Sequence, residues 1–276
     1  MFSLNCKGKM LMMDHPLVMG ILNVNGDSFY PGNRAQQIDL ILQKAAQMIS
    51  EGAGLIDIGG QSTRPGSERI SFDEECSRVI PAIEAVASQF PGTIISIDTY
   101  YAEVARQAVA AGATMVNDIS AGEMDSNMIA TVATLKIPYV CMHMKGTPDT
   151  MQQQAVYENV TIEVLDFFIK KVDELKMAGI NDIIIDPGFG FGKTIGHNFT
   201  LLKNLSAFKM LDLPIMAGLS RKSTIYKTLD ISVEDALNGT TVLNTLALQN
   251  GAGILRVHDV KEAVETVKLF TAYSKA

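Results

Sequence analysis

One short stretch of the chain has the residue types of a ligand-binding site. Residues 183–193 read IIIDPGFGFGK, an apolar run typical of a buried strand that ends in Asp186 and is followed by a glycine-rich segment. A carboxylate at the end of a buried parallel strand is partly desolvated and can face a ligand, while neighbouring glycines let the backbone approach that ligand closely. Pro187 stands where a GxxxxGK[ST] phosphate loop needs glycine, and Lys193 stands where a GxGxxG dinucleotide motif needs it. The sequence therefore predicts a site at Asp186 that is neither of these motifs.

Polar residues stand at or just after the ends of seven further short apolar runs, which are residues 17–24, 55–59, 94–98, 114–117, 139–142, 214–217 and 253–257. In chain order, these polar residues are Asn23, residues 61–64, Asp98, Asn117 with Asp118, His143, residues 220–222, and Arg256 with His258. For each residue taken alone, a turn, a surface side chain or a satisfied interior side chain is at least as good an explanation. Their common position is what predicts a shared site.

The elements that would position these residues form a repeating pattern. A segment long enough for a helix separates each apolar run from the next, and glycine stands at four helix-to-strand joints, Gly52, Gly112, Gly179 and Gly251. Eight such units in 276 residues predict an α/β fold, a (β/α)8 TIM barrel, which brings all eight strand ends to one face. The alternative, a doubly wound open sheet, would bring only a few of them together. We expect residues 1–276 to form a single domain, with residues 1–16 as a short N-terminal leader containing a hairpin.

Composition excludes several classes of function. The net charge of −7 and the scattered positions of the 23 Lys and Arg residues argue against a nucleic-acid partner. Cys6, Cys76 and Cys141 are odd in number and form no CxxC pair, which indicates a reducing compartment and excludes a disulfide framework or zinc site. No run of 18 apolar residues and no signal-peptide pattern occurs. We therefore expect a cytoplasmic protein without a membrane partner.

The residues at the strand ends fall into two chemical groups. Asp98, Asn117 and Asp186 offer carboxylates and an amide, which suit the alternating N–H and C=O edge of a fused heterocycle. The second group supplies cationic donors, and its members are Arg64, Lys222, Arg256 and His258. Ser220 is placed to cap a helix whose N-terminus would also favour an anion. Together the two groups predict a ligand with a polar ring at one end and an anion at the other.

Eight motifs, in order along the chain, resemble those of the dihydropteroate synthase family of the folate pathway: VMGILNV, GGQSTRPG, ISIDT, VNDISAG, MHMKGTP, DPGFGFGK, LSRKS and RVHDV. The resemblance extends from about Leu17 to the C-terminal helix. It implies a (β/α)8 barrel that joins 6-hydroxymethyl-7,8-dihydropterin diphosphate to 4-aminobenzoate and releases pyrophosphate by a dissociative substitution, with Mg²⁺ as cofactor. The family tends to form homodimers, although the apolar helix faces of this chain do not distinguish a dimer surface from ordinary packing.

The resemblance also implies roles for individual residues. The implied pterin-binding residues are Asp98, Asn117, Asp186 and Lys222, the implied diphosphate-binding residues are Thr63, Arg64, Arg256 and His258, and those of the aminobenzoate pocket are Pro65, Phe191 and Ser223. Met142 and Gly218 are further implied substrate-binding residues, and Asn23 is the implied metal ligand. Of these, Asp98, Lys222, Arg256 and His258 would also be catalytic.

One loop departs from the family pattern. Where the family reads N-V-T-P-D-S-F, this chain reads NVNGDSF, so Asn25 and Gly26 replace Thr-Pro, while Asp27, Ser28 and Phe29 remain. These three residues belong to residues 25–34, a long connection that follows a predicted strand. Residues 61–71 and 145–157 are two further long connections of this kind, and we interpret all three as mobile lids.

Two other functions fit parts of the pattern. A pterin-barrel methyltransferase would use a similar set of Asp and Asn residues, but it binds no diphosphate, and the SRKS and RVH segments argue against it. A catalytically silent paralogue that binds pterin is the second alternative. Retention of both the ring-binding and the anion-binding residues argues against it.

Overall fold

The computed structural model describes residues 2–24, 34–61, 69–151 and 153–276, without the side chain of Arg34. The strands are β1 (Phe2–Cys6), β2 (Lys9–Met13), β3 (Leu17–Asn23), β4 (Leu55–Gly59), β5 (Ile94–Asp98), β6 (Met115–Asp118), β7 (Tyr139–Met142), β8 (Ile183–Asp186), β9 (Met216–Ala217) and β10 (Ile254–Val257). The α-helices are α1 (Arg34–Glu51), α2 (Phe72–Gln89), α3 (Ala102–Ala111), α4 (Met128–Leu135), α5 (Val160–Met177), α6 (Ile195–Lys203), α7 (Ser223–Leu229), α8 (Leu237–Gln249) and α9 (Val260–Lys275). Two 3-10 helices, Leu205–Leu211 and Glu234–Ala236, precede β9 and α8.

Strands β3 to β10 form one parallel sheet in the order β8-β7-β6-β5-β4-β3-β10-β9. A parallel bridge between Ile185 of β8 and Ile215, directly before β9, joins its two ends, and the Ile185 N–H donates to Pro214 O at 3.0 Å. The predicted (β/α)8 barrel is therefore confirmed, and the open-sheet alternative is wrong, because an open sheet would leave β8 and β9 as separate edges.

Local sequence signals account for where the elements end. The four glycines predicted at helix-to-strand joints all have positive φ, between 92° and 126°. At Gly112 this conformation is combined with close packing, since a Cβ there would lie 2.6 Å from the Cβ of Ala87. Only glycine satisfies both conditions at this joint.

A hairpin closes the end of the barrel at which its strands begin. Strands β1 and β2 pair in an antiparallel ladder, and their alternating burial directs Leu4, Cys6 and Met13 toward the first residues of the barrel strands. Lys7 Nζ holds the hairpin to the end of α3 by donating to Val109 O at 3.0 Å. With this end filled by apolar side chains, a ligand site is left to the opposite end of the strands.

All three cysteines are unpaired, two of them buried and Cys76 half-buried, in agreement with the expectation of no disulfide. Among the helices in the described parts of the chain, none combines the length and the apolar character needed to cross a bilayer.

The hairpin generates a stability prediction. Leu4→Ala should lower the free energy of unfolding by about 2–5 kcal/mol, because Leu4 is 3% exposed and its loss leaves a cavity against the barrel. Met10→Ala on the same hairpin is the matched control, since Met10 is 58% exposed and should change stability by about 0.5 kcal/mol or less. Urea unfolding measures both, and equal losses for the two variants would contradict the role of the hairpin as a packed plug.

Candidate active site

Strand register brings the predicted residues to one rim. Along the sheet, Asn23 is paired with Gly59, Gly59 with Asp98, and Asp98 with Asn117. Met142 is paired with Asp186 in the same way. These residues therefore lie at a common level around the end of the barrel, as the shared position at strand ends predicts.

A buried network of charged and amide groups forms the floor of the site. The guanidinium of Arg256 donates from Nε to Asp57 Oδ2 and from Nη2 to Asp98 Oδ2, both at 2.6 Å. Asn117 Nδ2 donates to the same Asp57 oxygen at 2.9 Å. Because a carboxylate only accepts, this contact fixes the amide orientation and leaves Asn117 Oδ1 as an acceptor for a ligand.

Asp57 is a component of the site that the sequence predictions missed. It lies in the middle of β4 and is completely buried, not at a strand end. The signal was nevertheless present, because a carboxylate within the buried run LIDIG requires a cationic or hydrogen-bonding partner. That partner, Arg256, is 199 residues away in the chain.

Arg256 makes different contacts from those that its predicted role as an anion donor implies. The sequence presents it as a donor for an anion, but its Nε and Nη2 are committed to Asp57 and Asp98. Burial disfavours its charge, yet the two carboxylates outweigh burial and hold the pKa of Arg256 above its ordinary value. Burial raises the pKa of Asp98 to about 7, against the opposing effect of Arg256. Arg256 therefore holds Asp57 and Asp98 together, and Nη1 is its guanidinium nitrogen that pairs with neither carboxylate.

Asp186 and Lys222 face each other across Gly218. A Cβ on Gly218 would lie 3.9 Å from Asp186 Oδ2 and 3.8 Å from Lys222 Nζ, so a larger residue would fill the space between them. Burial lowers the pKa of Lys222 to about 8, with Asp186 opposing the shift. Burial likewise raises the pKa of Asp186, and Lys222 opposes it.

The β8–α6 loop completes this side of the site. Gly188 N–H donates to Asp186 Oδ1 at 2.8 Å, Lys222 Nζ donates to Phe189 O, and the same Nζ lies 4.8 Å from the centre of the Phe191 ring. Phe191 also packs on an apolar cluster, whose buried members are Tyr100, Ile119, Met142, Met144 and Met151. The site thus has one polar floor and one apolar wall, as a flat polar heterocycle requires.

The residues predicted to bind an anion follow the ends of β9 and β10. His258 is exposed, its N–H donates to Ser220 Oγ at 3.2 Å, and its Nδ1 lies 3.0 Å from the same oxygen. The prediction that Ser220 caps a helix is wrong, because α7 begins after Lys222 and has no side-chain cap. Ser223, the first residue of α7, is half-buried.

Three other residues at strand ends serve the fold. Asp118 accepts from Ser120, from Gly122 N and from Tyr139 OH, and so holds its own turn together. Arg221 makes a bidentate pair with Asp259 at 2.9 and 2.8 Å. His143 is buried and bonded to Lys193, so it is an interior residue.

Several predicted residues lie outside the described residues: Asp27, Ser28 and Phe29 of the first loop, and Thr63, Arg64 and Pro65 of the second. Their roles stay predictions. Asn23 is exposed and shares with His258 a cavity of about 300 Å³ between β3 and α1. Over the ranges that the structure covers, no three His, Cys, Asp or Glu side chains are grouped closely enough to hold a metal ion by themselves.

Comparison with known proteins decides the family. The family model described as "Pterin binding enzyme" matches residues 19–258. The dihydropteroate synthase of Escherichia coli (strain K12) is 41% identical over 268 residues, 96% of this chain and 94% of that protein. The chain belongs to the dihydropteroate synthase family of pterin-binding enzymes.

Solved structures of dihydropteroate synthases agree with this assignment. The Xanthomonas albilineans enzyme with 4-aminobenzoic acid superposes with a TM-score of 0.91 at 39% identity, covering 99% of this chain and 98% of that one. The same enzyme in complex with 7,8-dihydropteroate gives a TM-score of 0.89 at 37% identity, and each chain is covered completely. The predicted resemblance to the dihydropteroate synthase family is thereby confirmed, in preference to the methyltransferase.

The β8–α6 loop of this dihydropteroate synthase family member generates the next prediction. At Gly188, φ is +69° and a Cβ would lie 2.0 Å from His143 O, so Gly188→Ala should destabilise the protein by more than about 2 kcal/mol. Gly196→Ala in the first turn of α6 is the control, because a Cβ there meets nothing closer than 3.8 Å and alanine favours a helix. Chemical denaturation measures both variants. A Gly188 variant as stable as the Gly196 variant would refute the predicted backbone clash.

Proposed function

We propose that this chain condenses 6-hydroxymethyl-7,8-dihydropterin diphosphate with 4-aminobenzoate to give 7,8-dihydropteroate and pyrophosphate. The observation that carries the proposal is the juxtaposition of Asp98, Asn117, Asp186 and Lys222 on one rim, with Phe191 on one side and His258 on the other. The 4-aminobenzoic acid and 7,8-dihydropteroate found with the Xanthomonas albilineans relative support the same pair of reactant and product.

The pterin would bind by its polar edge. Asp186 is fixed at Oδ1 by Gly188 and can accept ring N–H groups, while Asn117 Oδ1 supplies a further acceptor. Lys222 would donate to a ring acceptor from its position beside Gly218. Met142 and Phe191 would cover the apolar faces of the two rings.

The reaction is a dissociative substitution at the pterin methylene. The C–O bond to diphosphate breaks and its electron pair leaves with the diphosphate; the amine nitrogen of 4-aminobenzoate then forms the C–N bond and releases a proton. Asp98 is part of the floor of the site, where its carboxylate would stabilise positive charge on the methylene. Phe191 and Ser223, with Pro65, would line the pocket from which the amine attacks.

The leaving diphosphate needs hydrogen-bond donors that stabilise the negative charge it gains as the C–O bond breaks. His258, supported by Ser220, would donate to it together with Arg256, Thr63 and Arg64. Asn23, which lines one cavity with His258, would supply an amide oxygen to Mg²⁺. One such protein ligand suffices when phosphates supply the other oxygens. When bound, Mg²⁺ would neutralise charge on the diphosphate.

Two further proposals concern the whole chain. The unpaired cysteines support a cytoplasmic location. Residues 1–276 would form one domain.

Release of pyrophosphate tests the proposal. We expect purified protein to release it only when the pterin diphosphate and 4-aminobenzoate are both present, and to lose the activity on removal of Mg²⁺. Release from the pterin diphosphate alone would indicate a hydrolase. Pterin binding without release under any condition would indicate the silent paralogue, and methyl transfer from methyltetrahydrofolate would indicate the methyltransferase.

The role of Asp98 gives a separate prediction. Asp98→Asn should lower kcat by about 100-fold or more and change the affinity for the pterin diphosphate only a few fold, because the carboxylate acts when the methylene becomes cationic. Single-turnover kinetics and calorimetry measure the two quantities. A loss confined to affinity, with kcat intact, would remove Asp98 from the chemical step.

A further inference from the structure

Lys193 is a buried amine outside the residues assigned to either substrate. Its side chain is 3% exposed and lies at the end of the β8–α6 loop. The Nζ atom lies 2.9 Å from His143 Nδ1 and donates to His143 O at 3.3 Å, to Gly188 O at 3.0 Å and to Phe191 O at 3.0 Å. Within the described residues, no carboxylate lies within salt-bridge distance of this amine.

Burying a lysine amine without a carboxylate partner destabilises its charged form, so another interaction must account for a lysine at this position. Burial lowers the pKa of Lys193 well below its ordinary value, and Asp186 opposes the shift. A methionine or leucine would fill the same buried space without desolvating a charge. What distinguishes lysine here is its ability to satisfy carbonyl oxygens on two different loops at once.

The two loops meet at their backbones around this amine. A Cβ at Gly188 would lie 2.0 Å from His143 O, and a Cβ at Gly192 would lie 2.6 Å from Lys145 O. His143 and Lys145 belong to the β7–α5 connection, whereas both glycines belong to the β8–α6 loop. Lys193 therefore joins the β7–α5 connection to the β8–α6 loop at a place where a side chain at Gly188 or Gly192 would clash with the opposite backbone.

The part of the loop that Lys193 holds also contacts the substrate-binding residues. Gly188 bonds Asp186 through its N–H and Lys193 through its carbonyl. Phe191 bonds Lys193 through its carbonyl and presents its ring to Lys222. The amine thus bonds directly to Phe191 on the aminobenzoate side, and it reaches Asp186 on the pterin side through Gly188.

We propose that Lys193 is a positioning residue for both substrates. Its amine holds residues 188–191 against His143 in the conformation in which Gly188 orients Asp186 and Phe191 lies beside Lys222. This inference rests on the proposed function, since it takes Asp186 and Phe191 to contact the pterin and the aminobenzoate.

The test compares Lys193→Met with Lys203→Met. The first keeps an unbranched side chain and removes the amine, and the second removes an exposed lysine from the end of α6. We expect Lys193→Met to raise the Kd for the pterin diphosphate and the KM for 4-aminobenzoate by about tenfold each, with kcat per folded enzyme changed by less than about threefold. Lys203→Met should leave all three quantities unchanged.

Lys193→Gln is the rescue variant, because its amide keeps two N–H donors and an acceptor. It should recover part of the lost affinity for both substrates. Unchanged Kd and KM in Lys193→Met would overturn the proposal. A fall only in the rate per total protein, with Kd and KM unchanged, would also overturn it, because that result indicates a smaller folded fraction. If Lys193→Met does not fold, Lys193→Gln decides, and its failure to fold would assign Lys193 to stability alone. Absence of activity in the unmodified protein would instead refute the proposed function.

Discussion

Charge buried inside the barrel is the constraint on which the site depends. The interior is of low polarity, so a guanidinium or carboxylate placed there must be paired and hydrogen-bonded or it destabilises the fold. Arg256 is paired with both Asp57 and Asp98, and Asn117 donates to the same Asp57 oxygen as Arg256. The other oxygen of Asp57 has no hydrogen-bond partner among the described residues. When both carboxylates are ionised, the group carries one more negative than positive charge, next to the place where a cationic methylene would form.

The side of the site around Asp186 contains fewer buried charged groups than the floor. Asp186 and Lys222 oppose each other, while the remaining donors and acceptors are backbone groups of the β8–α6 loop. Backbone groups can serve in this way only if the loop has one conformation. The close approach at Gly188 and the hydrogen bonds of Lys193 provide that restriction. Under the proposed function, rigidity at this loop would preorganise the pterin pocket.

The apolar hairpin plug and the candidate site lie at opposite ends of the barrel. The hairpin fills the end where the strands begin with apolar side chains such as Leu4 and Met13. The end where the strands finish combines the apolar cluster around Met142 with many polar groups that need hydrogen-bond partners. Groups that are unfavourable in a protein interior, such as the Asp98 carboxyl with its pKa raised to about 7, therefore lie at the end of the barrel away from the hairpin.

The sequence by itself determined the eight strands, the helix-ending glycines and the set of polar residues at one rim. These features are local: an apolar run, a glycine with positive φ at position 112, or an aspartate after a strand can be read from neighbouring residues. The tertiary structure decided which of these residues contact one another. Arg256 turned toward Asp57, His143 toward Lys193, and Ser220 toward His258, in pairs separated by 199, 50 and 38 residues. Such partners depend on barrel register and on side-chain direction across the closed sheet, which no local pattern encodes.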